Sequence, residues 1–429
     1  MKKIPTLSWL VLTALALNVT ASARADEVTD WNKILFDAAR VPPATSPLVI
    51  TRTAAIVHAA VFDAVNGIER RYTPIRVAPA AERGASVRAA AVQAAYASLV
   101  RLYPAQISTF DAKRTIAMSA IVRGPEGEDI IPIARGVEWG QAVADAIWAW
   151  RGTDGFTPAP LAFVGGFGVG EWRSTPPLFA PGAAPQFATM TPWSIQLPSQ
   201  FRPGGPPLLT GNGYATDFSE VKSKGSSSSL LRTADQTAAC NFWNTGTASD
   251  LWNNVAVSLS EKRHLTLSAN ARLFALLHIA AADGAIACWD AKYHYVFWRP
   301  VTAIPLAATD GNLATDADFN WTPLLVTPAH PEYPSGHSTV SSAAASVLAD
   351  YFGEKTAFVV TSVLVPGVGR PFSSFSAALA EIADARIFGG IHFRSACVDG
   401  QATGNAVGVY VIENSLRPIN GNHTGQVRA

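Results

Sequence analysis

The chain is poor in cysteine, in uncompensated charge and in long apolar runs. Cys240, Cys288 and Cys397 are its three cysteines among 429 residues. They permit one disulfide at most and match no metal-binding spacing, so buried thiols are the expectation. Lys plus Arg number 33 against 32 Asp plus Glu, a net charge near +1 with no block of one sign. That balance excludes a nucleic-acid footprint and a membrane-surface patch, and any functional positive charge must be local. Beyond the N-terminus no apolar run reaches spanning length without a charge or a Pro/Gly cluster, so the mature chain reads as soluble rather than membrane-embedded. Strand-like alternation is scarce as well, TAFVVTSVLVP (356–366) being the best candidate. No internal repeat of fixed period stands out.

Apolar residues are plentiful at 48%, ample for a large core. The first 25 residues, MKKIPTLSWLVLTALALNVTASARA, combine a Lys-Lys start, a short apolar stretch and an Ala-Arg-Ala end. They read as a secretory signal peptide cleaved after Ala25, which implies a secreted or periplasmic protein; an uncleaved anchor is the alternative. Helical patterns dominate the remainder. Ser46-Pro47 reads as an N-cap with Pro at the first helical position, ahead of an apolar stretch closed by Gly67. Further helices are expected over 86–104, 134–152, 267–295, 336–352, 374–388 and 396–415. Between 153 and 230 the chain turns rich in Pro, Gly and aromatics. So long a connection is functional or disordered, and its Phe and Trp content argues for an ordered arm that covers a site or wraps a neighbouring subunit in a homo-oligomer. The expected architecture is all-α, two four-helix-bundle-like halves at 26–152 and 231–429 joined by that arm.

Three clusters in the second half carry chemical potential: KYHYVFWRP (292–300), PSGH (334–337) and RIFGGIH (386–392). Taken singly, each is an ordinary surface lysine, helix start or helix end. Pro300 ends the helix that carries Lys292, and residues seven apart share a helix face about 10 Å apart along the axis, so Lys292 and Arg299 converge. Ser335 caps the next helix, Gly336 lets the backbone come close, and the free amides of a helix start favour an anion. His337 stands beside them as proton donor or acceptor. The Gly389-Gly390 pair bends the chain between Arg386 and His392, returning His392 toward the same point. Two guanidinium forks and an ammonium suit a tetrahedral oxyanion.

The pattern K-x6-R-P, P-S-G-H, R-x5-H resembles the signature of the superfamily that unites vanadium-dependent haloperoxidases with type 2 phosphatidic acid phosphatases and bacterial acid phosphatases. The resemblance implies that Lys292, Arg299, Ser335, Gly336 and Arg386 bind the oxyanion and that His337 is the general acid/base. It makes His392 the apical vanadium ligand, or the nucleophile of a phosphatase, and it implies vanadate as cofactor with hydrogen peroxide, halide and a small organic acceptor as partners. Two positions depart from the phosphatase form: Ala385 and Ala396 stand where it has Ser and Asp, and Asp399 is too far along to orient His392. Absence of an orienting carboxylate favours a haloperoxidase over a phosphohistidine route. His330, seven residues before His337, stands where similar haloperoxidases carry His or Phe near the halide, and a histidine there resembles the bromide-oxidising type. Trp298 joins it as a halide-pocket candidate. Tyr295, Phe297, Tyr333 and Phe393 are either pocket wall or core, and His58 and His278 read as core histidines. A phosphatase and a non-catalytic periplasmic oxyanion-binding protein are the competing readings, the latter disfavoured by the presence of both His337 and His392.

Overall fold

A computed structural model describes residues 26–419, so the predicted signal peptide and His423 lie outside it. The described residues form thirteen α-helices. In the first half these are α1 (Glu27–Arg40), α2 (Pro47–Glu69), α3 (Val87–Leu102), α4 (Ile107–Arg123) and α5 (Ile130–Arg151). The arm contains α6 (Asn212–Lys224), and α7 (Ala234–Trp243), α8 (Ala248–Lys262), α9 (Leu267–Tyr295) and α10 (Pro300–Ala303) follow. The last are α11 (Gly336–Phe352), α12 (Phe375–Phe388) and α13 (Arg394–Asn414). One antiparallel hairpin, β1 (Phe358–Thr361) with β2 (Gly369–Phe372), interrupts them, and β1 lies in the one segment expected to be extended. The protein is all-α in architecture.

Hydroxyl caps start the principal helices where the sequence places them: Ser46 opens α2, Ser86 opens α3, Thr266 opens α9 and Ser335 opens α11, each accepting a backbone amide three residues on. Six helices were not anticipated, α1, α4, α6, α7, α8 and the single turn α10. The periodicity of α6 is masked by its polar composition inside a Pro/Gly-rich stretch, and α7 is only 10 residues long. The arm is therefore not wholly loop. It is pinned to the second bundle at several points, for instance by Trp172 donating to the Val296 carbonyl and Ala183 to that of Ala329.

The two halves echo one another at a spacing the sequence conceals. Trp31-Asn32 of α1 recurs as Trp252-Asn253 of α8, and His58 and Asp63 of α2 recur as His278 and Asp283 of α9. In each copy the asparagine side-chain oxygen contacts the histidine Nε2, at 2.9 Å for Asn32 and 3.2 Å for Asn253. In each the buried aspartate accepts three consecutive amides of a distant loop, Ile75 to Val77 for Asp63 and Trp193 to Ile195 for Asp283. The copies meet where His58 stacks on His278 at 4.7 Å between centroids. Helix α1 touches α9 as α8 touches α2, the arrangement an approximate two-fold axis produces. Around this seam α2, α3 and α5 form one bundle and α9, α11 and α13 the other. Helices α2 and α9 are long and apolar enough to cross a membrane by composition, but 94% and 100% of those windows are buried in protein. They are the paired core helices. The copies differ at one end: α9 has 29 residues against 23 in α2, and its additional turns carry Lys292.

Candidate active site

Every candidate except Trp298 gathers where the extended end of α9, the loop 326–335, the start of α11 and the bend after α12 come together. One expectation about how they converge fails. Helix α9 stops at Tyr295, Val296 adopts a left-handed conformation (φ 49°), and Arg299 is extended (φ −83°, ψ 155°). Lys292 and Arg299 therefore do not share a helix face. The unwound stretch 296–299 brings the guanidinium in instead. The bend expected at the glycine pair is present: α12 ends at Phe388 and Gly390 takes φ 76°, where an added Cβ would lie 2.4 Å from the Gly225 carbonyl. Only glycine serves there.

Lys292 and Arg299 are fully buried and engaged with the protein. The Lys292 ammonium donates to the carbonyls of Pro331 (2.7 Å) and Glu332 (3.0 Å), and burial pulls it down to about 7. Arg299 donates to the carbonyls of His330 (3.0 Å) and Ile391 (2.7 Å) and contacts His392 Nε2 at 3.1 Å. Both cations thus clamp the loop that precedes α11. Arg386 is different. It lines a cavity of about 470 Å³, its two protein contacts, the Trp243 carbonyl and Asn244 Oδ1, are long at 3.5 and 3.4 Å, and its Nε has no partner. Gly336 and His337 share that cavity wall, and His337 Nε2 is also unpartnered. Burial, then Arg386, Lys292 and Arg299, hold His337 well below the usual imidazole range. Ser335 accepts the Ser338 amide at 3.4 Å as the cap of α11.

A carboxylate that the sequence reading missed completes the arrangement. Glu332, fully buried in the same HPEYPSGH stretch, contacts His392 Nδ1 at 2.8 Å and accepts the Phe393 amide at 2.9 Å through one oxygen; its other oxygen has no partner. The tautomer follows from the partners. Arg299 can only donate, so Nε2 of His392 accepts, and the ring proton sits on Nδ1 facing Glu332. Nε2 is held as a lone-pair donor, the state a metal ligand or a nucleophile needs. His392 is kept well below the usual imidazole range by burial and by Arg299, Lys292 and Arg386, while burial pushes Glu332 up to about 7. The orienting carboxylate expected to be absent is therefore present, delivered from a different element. Asp399 serves elsewhere, accepting from the Tyr333 hydroxyl at 2.6 Å. The signal for Glu332 in the sequence was only an acidic residue amid apolar and turn residues, five positions before His337.

His330 lines the cavity, accepts from Arg299 at 2.9 Å through Nδ1 and packs against Trp289 at 4.8 Å between ring centroids. Trp298 does not line it. In the extended chain 297–299 successive side chains point to opposite faces, so with Arg299 turned inward Trp298 is fully buried on the other side. Trp289, one turn before Lys292, is the tryptophan on the cavity wall. Phe297 and Phe393 pack on each other, as do Tyr295 and Tyr333, so these rings are core rather than pocket. The three cysteines are free and buried.

Comparison with known proteins agrees with this geometry. The family model described as the VCPO second helical-bundle domain matches residues 272–421. The crystal structure of the first bacterial vanadium-dependent iodoperoxidase superposes with a TM-score of 0.78 at 25% identity, covering 91% of this chain and 97% of that one. Residues 272–421 thus resemble a vanadium haloperoxidase helical-bundle domain, and most of the chain is similar in fold to a bacterial vanadium-dependent iodoperoxidase. A bacterial vanadium-dependent chloroperoxidase in its holo form shares the fold at a TM-score of 0.65 and 18% identity, over 88% of this chain and 94% of that one. Vanadium chloroperoxidase of Curvularia inaequalis is 34% identical over 92 residues, 19% of this chain. That match spans 14% of the relative's length. The matched segment 272–421 contains all seven oxyanion and proton-transfer candidates, whereas the cavity walls from α1, α2 and the α7–α8 loop lie outside it.

Proposed function

We propose that the protein is an exported vanadate-dependent haloperoxidase that uses hydrogen peroxide to oxidise bromide or iodide. The observation that carries the reading is the lone pair of His392 Nε2, fixed by Glu332 and Arg299 beside a cavity whose other donors, Arg386 Nε and His337 Nε2, have no acceptor in the protein. Three buried cations against the one carboxylate of Glu332 are costly to keep together, and an oxyanion among them offsets that cost. The donor set fits vanadate: Arg386, Lys292, Arg299, Ser335 and the Gly336 amide for its oxygens, His392 Nε2 for the metal. When bound, vanadate supplies Lewis acidity that polarises peroxide without changing its own oxidation state. His337, neutral at working pH, takes and returns the proton on the peroxide side. His330 and Trp289 shape the place for a large polarisable halide.

Glu332 favours one second reading. By orienting His392 as a lone-pair donor it equally prepares a phosphohistidine nucleophile, so hydrolysis of phosphomonoesters in the same pocket is the alternative. One phosphate-free preparation of residues 26–429 decides between them. Vanadate-dependent formation of triiodide from iodide and peroxide, lost in His392→Ala, supports the haloperoxidase. Phosphate release that vanadate inhibits, without halide oxidation, supports the phosphatase. Unchanged oxyanion affinity in His392→Ala, with neither activity in the wild type, leaves a binding protein. Mass spectrometry of the exported chain tests the cleavage after Ala25.

A further inference from the structure

His392 sits in a stretch of chain that cannot hold itself in place. Gly389 and Gly390 precede it, and glycine leaves a backbone more freedom than any other residue. Helix α13 follows at once, yet its N-cap is Phe393, whose side chain can accept no amide. The free amides of that helix start need acceptors from elsewhere. Glu332 serves the Phe393 amide, as described above. The arm serves the next turn. Asp217 of α6, 8% exposed, accepts the Ser395 amide at 2.9 Å. Three residues on, Glu220 holds the Arg394 guanidinium with both oxygens, at 3.0 Å from Nε and 2.7 Å from Nη2. Three residues back, the buried Tyr214 ring packs on Phe393 with centroids 5.6 Å apart. Residues three apart are neighbours on a helix surface, so one side of α6 grips 393–395. The same segment holds the far side of the bend: Arg232 donates to the Phe388 carbonyl at 3.2 Å, and the Gly225 and Gly390 backbones pack too closely for a Cβ on either. Residues 214–232 thus hold the chain on both sides of His392, and none of them lines the cavity.

We propose that α6 and the chain onward to Arg232 are a strut that positions His392, with Asp217 and Glu220 as positioning residues acting through the backbone of 393–395. The inference rests on the haloperoxidase reading, which makes His392 the vanadium ligand, and gives a task in it to part of the arm, outside 272–421. Arg299 and Glu332 fix which nitrogen of His392 carries the lone pair. The strut fixes where that nitrogen lies. A metal–ligand distance tolerates about 0.2 Å of error, whereas hydrogen bonds to an oxyanion spread over about 0.5 Å. A small displacement of 393–395 should therefore weaken vanadate, which needs Nε2, far more than phosphate, which the cations, Ser335 and the Gly336 amide can follow. Arg394 keeps Asp384 at 2.6 Å when Glu220 is lost, so Asp217 is the sharper position to test.

The test compares Asp217→Ala and Asp217→Asn with wild type, in vanadate-free chain 26–429. Asparagine keeps an acceptor oxygen for the Ser395 amide and alanine does not. Calorimetry with orthovanadate and with inorganic phosphate gives the two affinities; ¹⁵N spectra give the His392 ring shifts and the hydrogen exchange of the Phe393 and Ser395 amides. Asp217→Ala should lower vanadate affinity about 10-fold, the lower end of what an outer partner of a ligand histidine is worth. Its phosphate affinity should stay within three-fold of wild type, and both amides should exchange faster. Asp217→Asn should recover most of the vanadate affinity. A lowered unfolding midpoint with the affinity ratio and the His392 ring shifts unmoved would reduce the strut to stability alone and overturn the proposal. Equal losses for the two anions would overturn it too, because the whole site would then have moved. Should Asp217→Ala not fold, Glu220→Ala reads the same ratio: a fall of about 3- to 10-fold is expected, and an unchanged ratio overturns the proposal. Failure of the haloperoxidase reading shows itself separately, as wild type that does not oxidise iodide with vanadate and peroxide; the ring shifts and amide exchange still test the strut in that case.

Discussion

Replacing Glu332 with glutamine separates two things that an active-site carboxylate does. It is the one negative charge among three buried cations, and it fixes which nitrogen of His392 carries a proton. In Glu332→Gln the charge disappears while the size is kept. The contacts to His392 Nδ1 (2.8 Å) and the Phe393 amide (2.9 Å) become neutral. Hydrogen bonds to charged groups contribute about 1.5–3 kcal/mol and neutral ones about 0.5–1.5, so each contact loses about 1 kcal/mol and the fold should survive. The amide can now also donate toward Nδ1, and the preference for the proton on Nδ1 falls. A tetrahedral phosphate, which needs no histidine lone pair, should bind as well as before or better, because a repelling charge has gone. Vanadate needs Nε2, and loss of the partner that orients a ligand histidine costs about 10- to 100-fold. The ratio of vanadate to phosphate affinity should therefore fall about 10- to 100-fold. Calorimetric titration of the vanadate-free variant with each anion measures it, and ¹⁵N shifts of the His392 ring report the tautomer directly. A ratio within three-fold of wild type, with the Nδ1 proton unmoved, would refute the role given to Glu332.

Arg386→Ala should lower oxyanion affinity at least 100-fold, as two charge-assisted hydrogen bonds imply, yet shift the unfolding midpoint little, because its protein contacts are long and its Nε has none. Lys292→Met should do both, since that ammonium also clamps the 331–332 carbonyls; thermal unfolding beside anion titration distinguishes the two. Asp283→Asn places an amide where three backbone N–H groups converge; it should cost about 2–4 kcal/mol and expose 190–196 to limited proteolysis. Burial holds His278 at about 3. Between that value and the unfolded 6.5 only the unfolded chain binds the proton, so this histidine's contribution to stability is present above pH 6.5 and lost as pH falls. The stability difference between wild type and His278→Gln should therefore shrink by about 1.4 kcal/mol per pH unit below 6.5, read from urea unfolding at stepped pH.

The elements most legible in the sequence are those whose ends carry their own chemistry. Hydroxyl caps at Ser46 and Ser335 placed the starts of α2 and α11, and the glycine pair announced the bend before His392. The residues of the oxyanion cluster were legible because their spacing is local to three short motifs. Glu332 was not, because its role depends on the loop 330–335 folding back over the end of α12, a contact 60 residues apart in sequence. Trp298 was misplaced and Trp289 overlooked for a related reason: the side-chain direction depends on where α9 unwinds, four residues before Arg299, and nothing in YHYVFWRP marks that point. The echo between α1–α2 and α8–α9 escaped because it rests on Trp-Asn, His and Asp at a separation of half the chain, with the intervening apolar residues interchangeable.

That echo gives the molecule a division of labour. Both halves begin from the same helix pair, but in the second the central helix runs on by six residues and delivers Lys292, and the first stops short and supplies walls. Residues 39–51 of the first half thereby face residues 244–254 and the candidate site of the second across one cavity. Substitutions in residues 39–51 therefore reshape the cavity without touching any residue of the candidate site, so the two can be varied independently.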